Sequence, residues 1–304
     1  MSETDIVYHV PVMLHECLDA LNINPDGVYV DLTFGGGGHS RAILERLSAK
    51  GKLYGFDQDA DAEQNIPAGD GRFTFVRSNF RYLQNFMRYH GEQSVDGILA
   101  DLGVSWHHFD DEKRGFSFRF DSKLDMRMNN RAGRTAAEVL NEYTEEQLSQ
   151  TLYLYGELKQ ARRIAAAIVQ QRASRPLLTA TGLIELLSPF VGRENDRKFF
   201  AKAFQALRIE VNQEMSALSA MMQQTPQLLR QGGRLAIITY HSLEDRLVKN
   251  FIKTGNMEGQ VERDIYGIIP ASLRVIDKII IPSDGEIARN PRSRSAKLRV
   301  AEKR

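Results

Sequence analysis

Four consecutive glycines, Gly35 to Gly38, follow an acid, Asp31, and a second acid, Asp57, comes 26 residues after the first. Each acid closes a short apolar run, so the pattern reads as two strand ends flanking a loop of bare backbone. A glycine loop between a strand and a helix presents N–H groups at a helix N-terminus, where nucleotides bind. The dinucleotide fingerprint G-x-G-x-x-G fails here: counted from Gly35 or Gly36, its third glycine falls on Ser40 or Arg41. A P-loop fails too, because no Gly-Lys-Ser or Gly-Lys-Thr follows the glycines. Asp57 stands where an acid accepts the two hydroxyls of a ribose. Asp31 would repel a pyrophosphate in a partly desolvated cleft, so a cofactor with a cationic end suits the loop better. S-adenosylmethionine meets both demands, with a ribose for Asp57 and positive charge for a nearby acid. A structural turn beside ordinary surface acids is the competing reading of this motif.

These residues need a sheet to hold them. Strand-like runs at 27–34, 52–59, 72–80 and 95–104 alternate with helix-like stretches, the rhythm of a parallel sheet with helical crossovers. The third run ends in "SNF" with Phe80, placed for an adenine ring, and the fourth in "ADLGVS" with Asp101, placed toward a transferred methyl group. From about residue 106 no strand-like run occurs for over a hundred residues. Thr135 with Glu138 and Thr144 with Gln147 form two capping-box signatures that open helices. The second helix is expected to continue, interrupted near Gly156, as far as Pro176. One long helix is expected at 199–224, with Phe200, Phe204, Leu207, Val211, Met215, Leu218 and Met222 as a core stripe. A continuous apolar run at 232–242 resumes the sheet, and runs at 275–282 and 296–303 read as closing strands on an antiparallel edge. The expected fold is a doubly wound, mostly parallel α/β sheet of Rossmann-like type, interrupted by a helical insertion.

Composition sets the outer bounds. With 42% hydrophobic and 26% charged residues, the chain is ordinary globular material. No apolar run approaches the length of a membrane span, and the first residues lack the basic and apolar regions of a signal peptide, which predicts a cytoplasmic protein. The single cysteine, Cys17, excludes a disulfide framework and is expected to be buried packing. The seven histidines show no metal-ligand spacing, so no metal is expected. The net charge of +1 conceals a division: residues 1–112 hold 18 acids and 8 bases, residues 113–304 hold 32 bases and 21 acids. Bases cluster at 113–134 and 289–304, as suits a polyanion such as nucleic acid, with a solvated face or frayed tail as the plain alternative.

The blocks "HVPVMLHE" (9–16), "DLTFGGGGHS" (31–40), "DGILADLGVS" (96–105), "RGFSFRFDSKLDMRMN" (114–129), "FQALRIEVNQE" (204–214), "YHSLEDRLVK" (240–249) and "NPRSRSAKLRVAE" (290–302) together carry a resemblance. The chain resembles the bacterial small-subunit ribosomal RNA cytosine-N4 methyltransferases, the RsmH or MraW family, from about residue 9 to 302. That resemblance implies S-adenosylmethionine-dependent methylation of the exocyclic amine of a cytidine in the decoding region of 16S rRNA, in the small ribosomal subunit. It also implies a methyltransferase domain at 1–129 and 199–304, with an inserted helical substrate-recognition domain at 130–198. Carried over by position, the cofactor contacts are Gly36, Gly37, Gly38, His39, Asp57, Phe80, Asp101 and His108, the last standing where the family carries Gln.

A cytosine amine is a poor nucleophile, so a carboxylate must accept hydrogen bonds from its protons as they become acidic, and Asp101 is the candidate. The base must be extruded onto an aromatic or arginine surface. Trp106, Phe116, Phe118 and Arg127 are candidates for that surface, with packing as the alternative for the aromatic rings. His241 could orient the RNA or serve as a structural histidine, and Glu244, Asp245 and Arg246 could form an ion-pair cluster opening the next helix. A non-catalytic RNA- or ribosome-binding protein that retains a nucleoside pocket is the alternative class.

Overall fold

A computed structural model describes residues 11–103, 114–192, 195–263 and 271–304. Two compact units emerge, Met1–Gly103 with Ser216–Arg304, and Val104–Met215.

The first unit is built on a seven-stranded sheet. Its strands are β1 (Val28–Asp31), β2 (Lys52–Asp57), β3 (Phe73–Arg77), β4 (Val95–Asp101), β5 (Leu229–Thr239), β6 (Leu273–Val275) and β7 (Lys297–Lys303), in the order β3-β2-β1-β4-β5-β7-β6. The first five run parallel, whereas β7 lies antiparallel between β5 and β6. Every residue of β1 is buried, as its unbroken apolar run demands of a strand covered on both faces. Chain order moves outward from β1 to β3 and then restarts at β4 on the other side of β1. This reversal opens a crevice at the carboxyl ends of β1 and β4, where doubly wound sheets bind ligands. Asp31 and Asp101 are the last residues of those two strands.

Helices α1 (Leu14–Leu21), α2 (Gly38–Arg46) and α3 (Leu83–Tyr89) flank this half of the sheet. Cys17, Leu18 and Leu21 of α1 and Ile43 and Leu44 of α2 pack in one cluster with Leu99 of β4 and Ile238 of β5. Cys17 is fully buried, as expected of a core thiol. Arg72 fixes the far end of α2: its guanidinium donates to both oxygens of Asp70 and to the carbonyls of Leu44 and Leu47.

The second unit is helical in its regular structure among the described residues. It contains α4 (Ala136–Glu142), α5 (Glu145–Leu154), α6 (Ala161–Arg172), α7 (Ala180–Leu187) and α8 (Asp196–Asn212). Both capping boxes form as read, Thr135 with Glu138 and Thr144 with Gln147. The break near Gly156 is real, with Glu157 in the left-handed region at φ 51°.

Two expectations need correction. The predicted long helix is two helices, α8 and α9 (Glu214–Leu228), separated by Gln213 at φ 51°. Neither Gly nor Pro marks this break. Asn212 stops the helix by tertiary contacts: its side chain donates to the Met126 carbonyl and accepts from the Met128 N–H. The helical unit is also larger than 130–198. Phe116, Leu124 and Met126 before it, and Phe199, Phe204 and Leu207 after it, share one core with α4 to α7. Apolar burial thus assigns α8 to the helical unit. Strand limits differ by a few residues, and of the 275–282 run only Val275 is in a strand, with Ile280 making an isolated bridge to Leu298. Among the described residues, no helix is long and apolar enough to cross a membrane.

Candidate active site

The four glycines divide by what surrounds them. A Cβ on Gly36 would meet nothing within 4 Å, and one on Gly35 would meet only the Thr33 carbonyl at 3.9 Å. A Cβ on Gly37 would lie 2.9 Å from the Phe34 ring, and one on Gly38 would run into the Pro11 ring. Gly35 and Gly36 therefore line open space, while Gly37 and Gly38 are small so that protein can close against them. Gly37 also caps α2 at φ 72°, a left-handed conformation that favours glycine. The first-turn N–H groups of α2, on Gly38, His39 and Ser40, follow directly.

Asp57 holds the loop open. Its Oδ2 accepts from the Gly35 N–H at 2.8 Å and its Oδ1 from the Asp59 N–H at 2.8 Å. The carboxylate is thereby locked in place at the strand end where an acid meets a vicinal diol. Asn65 grips the other side of Gly35, donating to its carbonyl at 3.1 Å, and Arg41 donates to the Gly36 carbonyl at 2.7 Å. Thus the bare turn is fastened at its edges by side chains that leave its face clear.

Asp31 is buried, 1% exposed, and accepts from the Ser40 hydroxyl at 2.7 Å and the Thr33 N–H at 3.1 Å. Burial raises its carboxyl above the ordinary aspartate value, against His39 and these hydrogen bonds, which lower it. Thr33 links the two strand ends, because its hydroxyl accepts from the Asp101 N–H at 2.7 Å. Asp101 is half-buried, and burial raises its carboxyl as well. His39, a Tyr240 hydrogen bond and the Gly103 N–H pull it down, whereas Asp31 adds to the rise. Two carboxylates near one strand switch point, both resisting ionisation, form a site that gains from a cation.

The remaining expected residues fall in different places. Phe80 is half-buried just after β3, beside Asn79, whose amide donates to Gln58 at the end of β2. His39 turns inward: it is buried, with Nε2 3.1 Å from the Val12 carbonyl, so its ring braces the N-terminal segment and only its backbone belongs to the loop. His241 caps helix α10 (Ser242–Thr254), with Nδ1 accepting from the Glu244 N–H at 3.4 Å and Nε2 3.0 Å from the Glu244 carboxylate. The structural role weighed for this histidine is the one its contacts describe, with 10% of the side chain exposed. Of the expected ion-pair cluster Glu244, Asp245 and Arg246, the two acids turn to different partners. Glu244 folds back on Tyr240 and His241, whereas Asp245 pairs with Arg299 and Lys297 of β7.

In the helical unit, Phe118 packs edge-on against Phe204, with ring centroids 5.7 Å apart, and Phe116 is buried. Phe116 belongs to the core, and the partly buried Phe118 packs against it. Arg127 makes a two-pronged pair with Asp125, at 2.7 and 2.8 Å, which shapes the "LDMRMN" turn. Trp106 and His108 lie outside the described residues. Sequence reasoning missed Thr33 and Ser40, which stand beside assigned positions, Asp31 and His39, and act through backbone or hydroxyl groups that carry no sequence signature.

The residues present fit S-adenosylmethionine. An open cradle over Gly35 and Gly36 lies beside a fixed diol acceptor, Asp57, and near buried acids suited to positive charge.

Comparisons with known proteins agree with this chemistry. Residues 6–304 match the MraW methylase family. A protein of Parabacteroides distasonis named ribosomal RNA small subunit methyltransferase H is 63% identical over the full length of both chains. Proteins of the same name are 60% identical in Bacteroides fragilis, over the full length of both chains, and 58% identical in Porphyromonas gingivalis, over 99% of this chain and 98% of that one. With a match spanning nearly every residue and a glycine cradle set between acids at the switch point, this chain belongs to the MraW methylase family.

Proposed function

We propose that the protein transfers a methyl group from S-adenosylmethionine to the N4 amine of a cytidine in the decoding region of 16S rRNA, acting in the cytoplasm. The family match over residues 6–304, with relatives named for small-subunit rRNA methylation, carries this reading. When bound, the cofactor supplies an electrophilic methyl group on a positively charged sulfur.

The chain's own residues do the rest. Asp57, oriented by the Gly35 and Asp59 N–H groups, takes the ribose hydroxyls. Phe80 lies near the adenine. Asp31, buried and held by Ser40 and Thr33, offsets the cofactor's positive end. Asp101 accepts a hydrogen bond from the cytosine amine, holds its nitrogen in line and takes up the proton that this nitrogen loses as it gains the methyl carbon. A carboxyl raised above its ordinary value is a better proton acceptor than a free aspartate. The basic segments at 113–134 and 289–304 supply sequence-independent attraction to the rRNA backbone.

Labelled methyl transfer to small subunits from a strain lacking the modification, followed by nucleoside analysis, tests the assignment. The expected product is N4-methylated cytidine. Label on another base, or on protein, would refute it. Calorimetric titration with S-adenosylmethionine separates a working enzyme from a binding module that has lost its cofactor.

A further inference from the structure

The "YHSLED" corner after β5 contributes no group to the cofactor cradle described above, yet it holds the buried Glu244 and sets the Tyr240 ring against the turn after β4. The Tyr240 N–H is held by Glu244 Oε2 at 3.0 Å, and Glu244 in turn is 3% exposed and packed with the His241 cap. This fixes where the tyrosine ring can go. A Cβ on Gly103 would lie 2.8 Å from Cε2 of Tyr240 and 3.3 Å from Oδ1 of Asp101, so glycine is what lets ring and carboxylate meet across the turn after β4. There the tyrosine hydroxyl hydrogen-bonds the Asp101 carboxylate, alongside the Gly103 N–H at 3.3 Å.

We propose that Tyr240 is a positioning residue for methyl transfer: its hydroxyl, aimed by the Glu244–His241 corner and admitted by Gly103, fixes the orientation in which Asp101 meets the cytosine amine. The inference rests on the reading that Asp101 receives the amine. A carboxylate free to rotate would offer its lone pairs in many directions. The Tyr240 hydroxyl and the Gly103 N–H, two donors on one carboxylate, restrict that rotation. Groups facing Asp101 from the other elements are Asp31 at the end of β1, His39 in the first turn of α2, and Cys17 from α1. Burial, and then Asp101 itself, push the Tyr240 hydroxyl far above its ordinary value, so it remains a donor.

Tyr240→Phe keeps the ring against Gly103 and removes only the hydroxyl. Losing a hydrogen bond to the charged form raises a carboxyl's pKa. In ligand-free protein, the Asp101 carboxyl titration followed by 13C NMR should therefore move to higher pH. Turnover should fall about tenfold, with little change in KM for the rRNA substrate. Both changes together support the proposal. An unmoved titration with reduced turnover indicates a structural role, unmoved turnover indicates none in the reaction, and either overturns it. Gly103→Ala, which pushes the ring away without deleting the hydroxyl, should reproduce both changes and serves if the first variant folds poorly. Asp101→Asn separates the two layers. Wild-type turnover in that variant defeats the reading of Asp101 itself, whereas an inactive Asp101→Asn beside an unaffected Tyr240→Phe defeats only the inference.

Discussion

Asp31 shows how a single residue is kept at the expense of stability. Burial raises its carboxyl, and that of Asp101, so the folded chain holds protons that the unfolded chain releases. The stability from this linkage is fully present below the unfolded aspartate value and is lost as pH rises through the folded one. Asp70 runs the other way, held down to about 2 by hydrogen bonds from Arg72, so its contribution is present above the unfolded value and lost as pH falls toward about 2. Asp31→Asn is accordingly expected to raise the melting temperature of ligand-free protein near neutral pH and to weaken S-adenosylmethionine binding at least tenfold, about 1.4 kcal/mol. Calorimetric melts from about pH 4 to 8 should show the stabilisation growing with pH; a variant equally stable at every pH would contradict the argument. Asp31 was legible in sequence because a carboxylate beside bare backbone is chemically odd. Its partner Thr33 was not, because a hydroxyl accepting from a strand-end N–H looks like any other threonine.

At the scale of elements, local rules worked where contacts are local. Both capping boxes span three residues, and both formed. Thr135→Ala should cost about 1 kcal/mol in denaturant unfolding of the chain, with an unchanged dependence on denaturant. The helix break at Gln213 needed Asn212 to reach Met126 and Met128, more than eighty positions earlier, and no local pattern announces such a contact. The glycine loop combines both kinds of cause. Its flexibility is written in four letters, but Gly38 is small because Pro11 lies against it, held by a segment in which Glu286 accepts from the Met13 N–H. Gly38→Ala should displace that segment, lower the melting temperature and reduce cofactor affinity. Gly36→Ala should leave the melting temperature near wild type, since its Cβ enters open space, and weaken only the cofactor.

For the whole molecule, charge is the property that reaches beyond the crevice. The 32 bases after residue 112 predict rRNA affinity that falls linearly in log–log form with salt, and replacing the exposed Arg294 by alanine should lower that slope by about one. Filter binding across a salt series checks this, and an affinity unaffected by salt would remove the basic segments from the interface. The sequence alone determined the class of sheet, the order of its parallel strands along the chain, the ligand edge, and the acids and glycines on it. Those follow from period, from strand ends and from residue chemistry, all of which are local. Only tertiary structure decided that β7 inserts between β5 and β6, that α8 joins the helical core, that His39 is buried, that His241 caps its helix and that Phe118 packs against Phe204. Which way a side chain turns depends on the free energy of burying it against neighbours distant in sequence, and that quantity does not exist until the chain has folded.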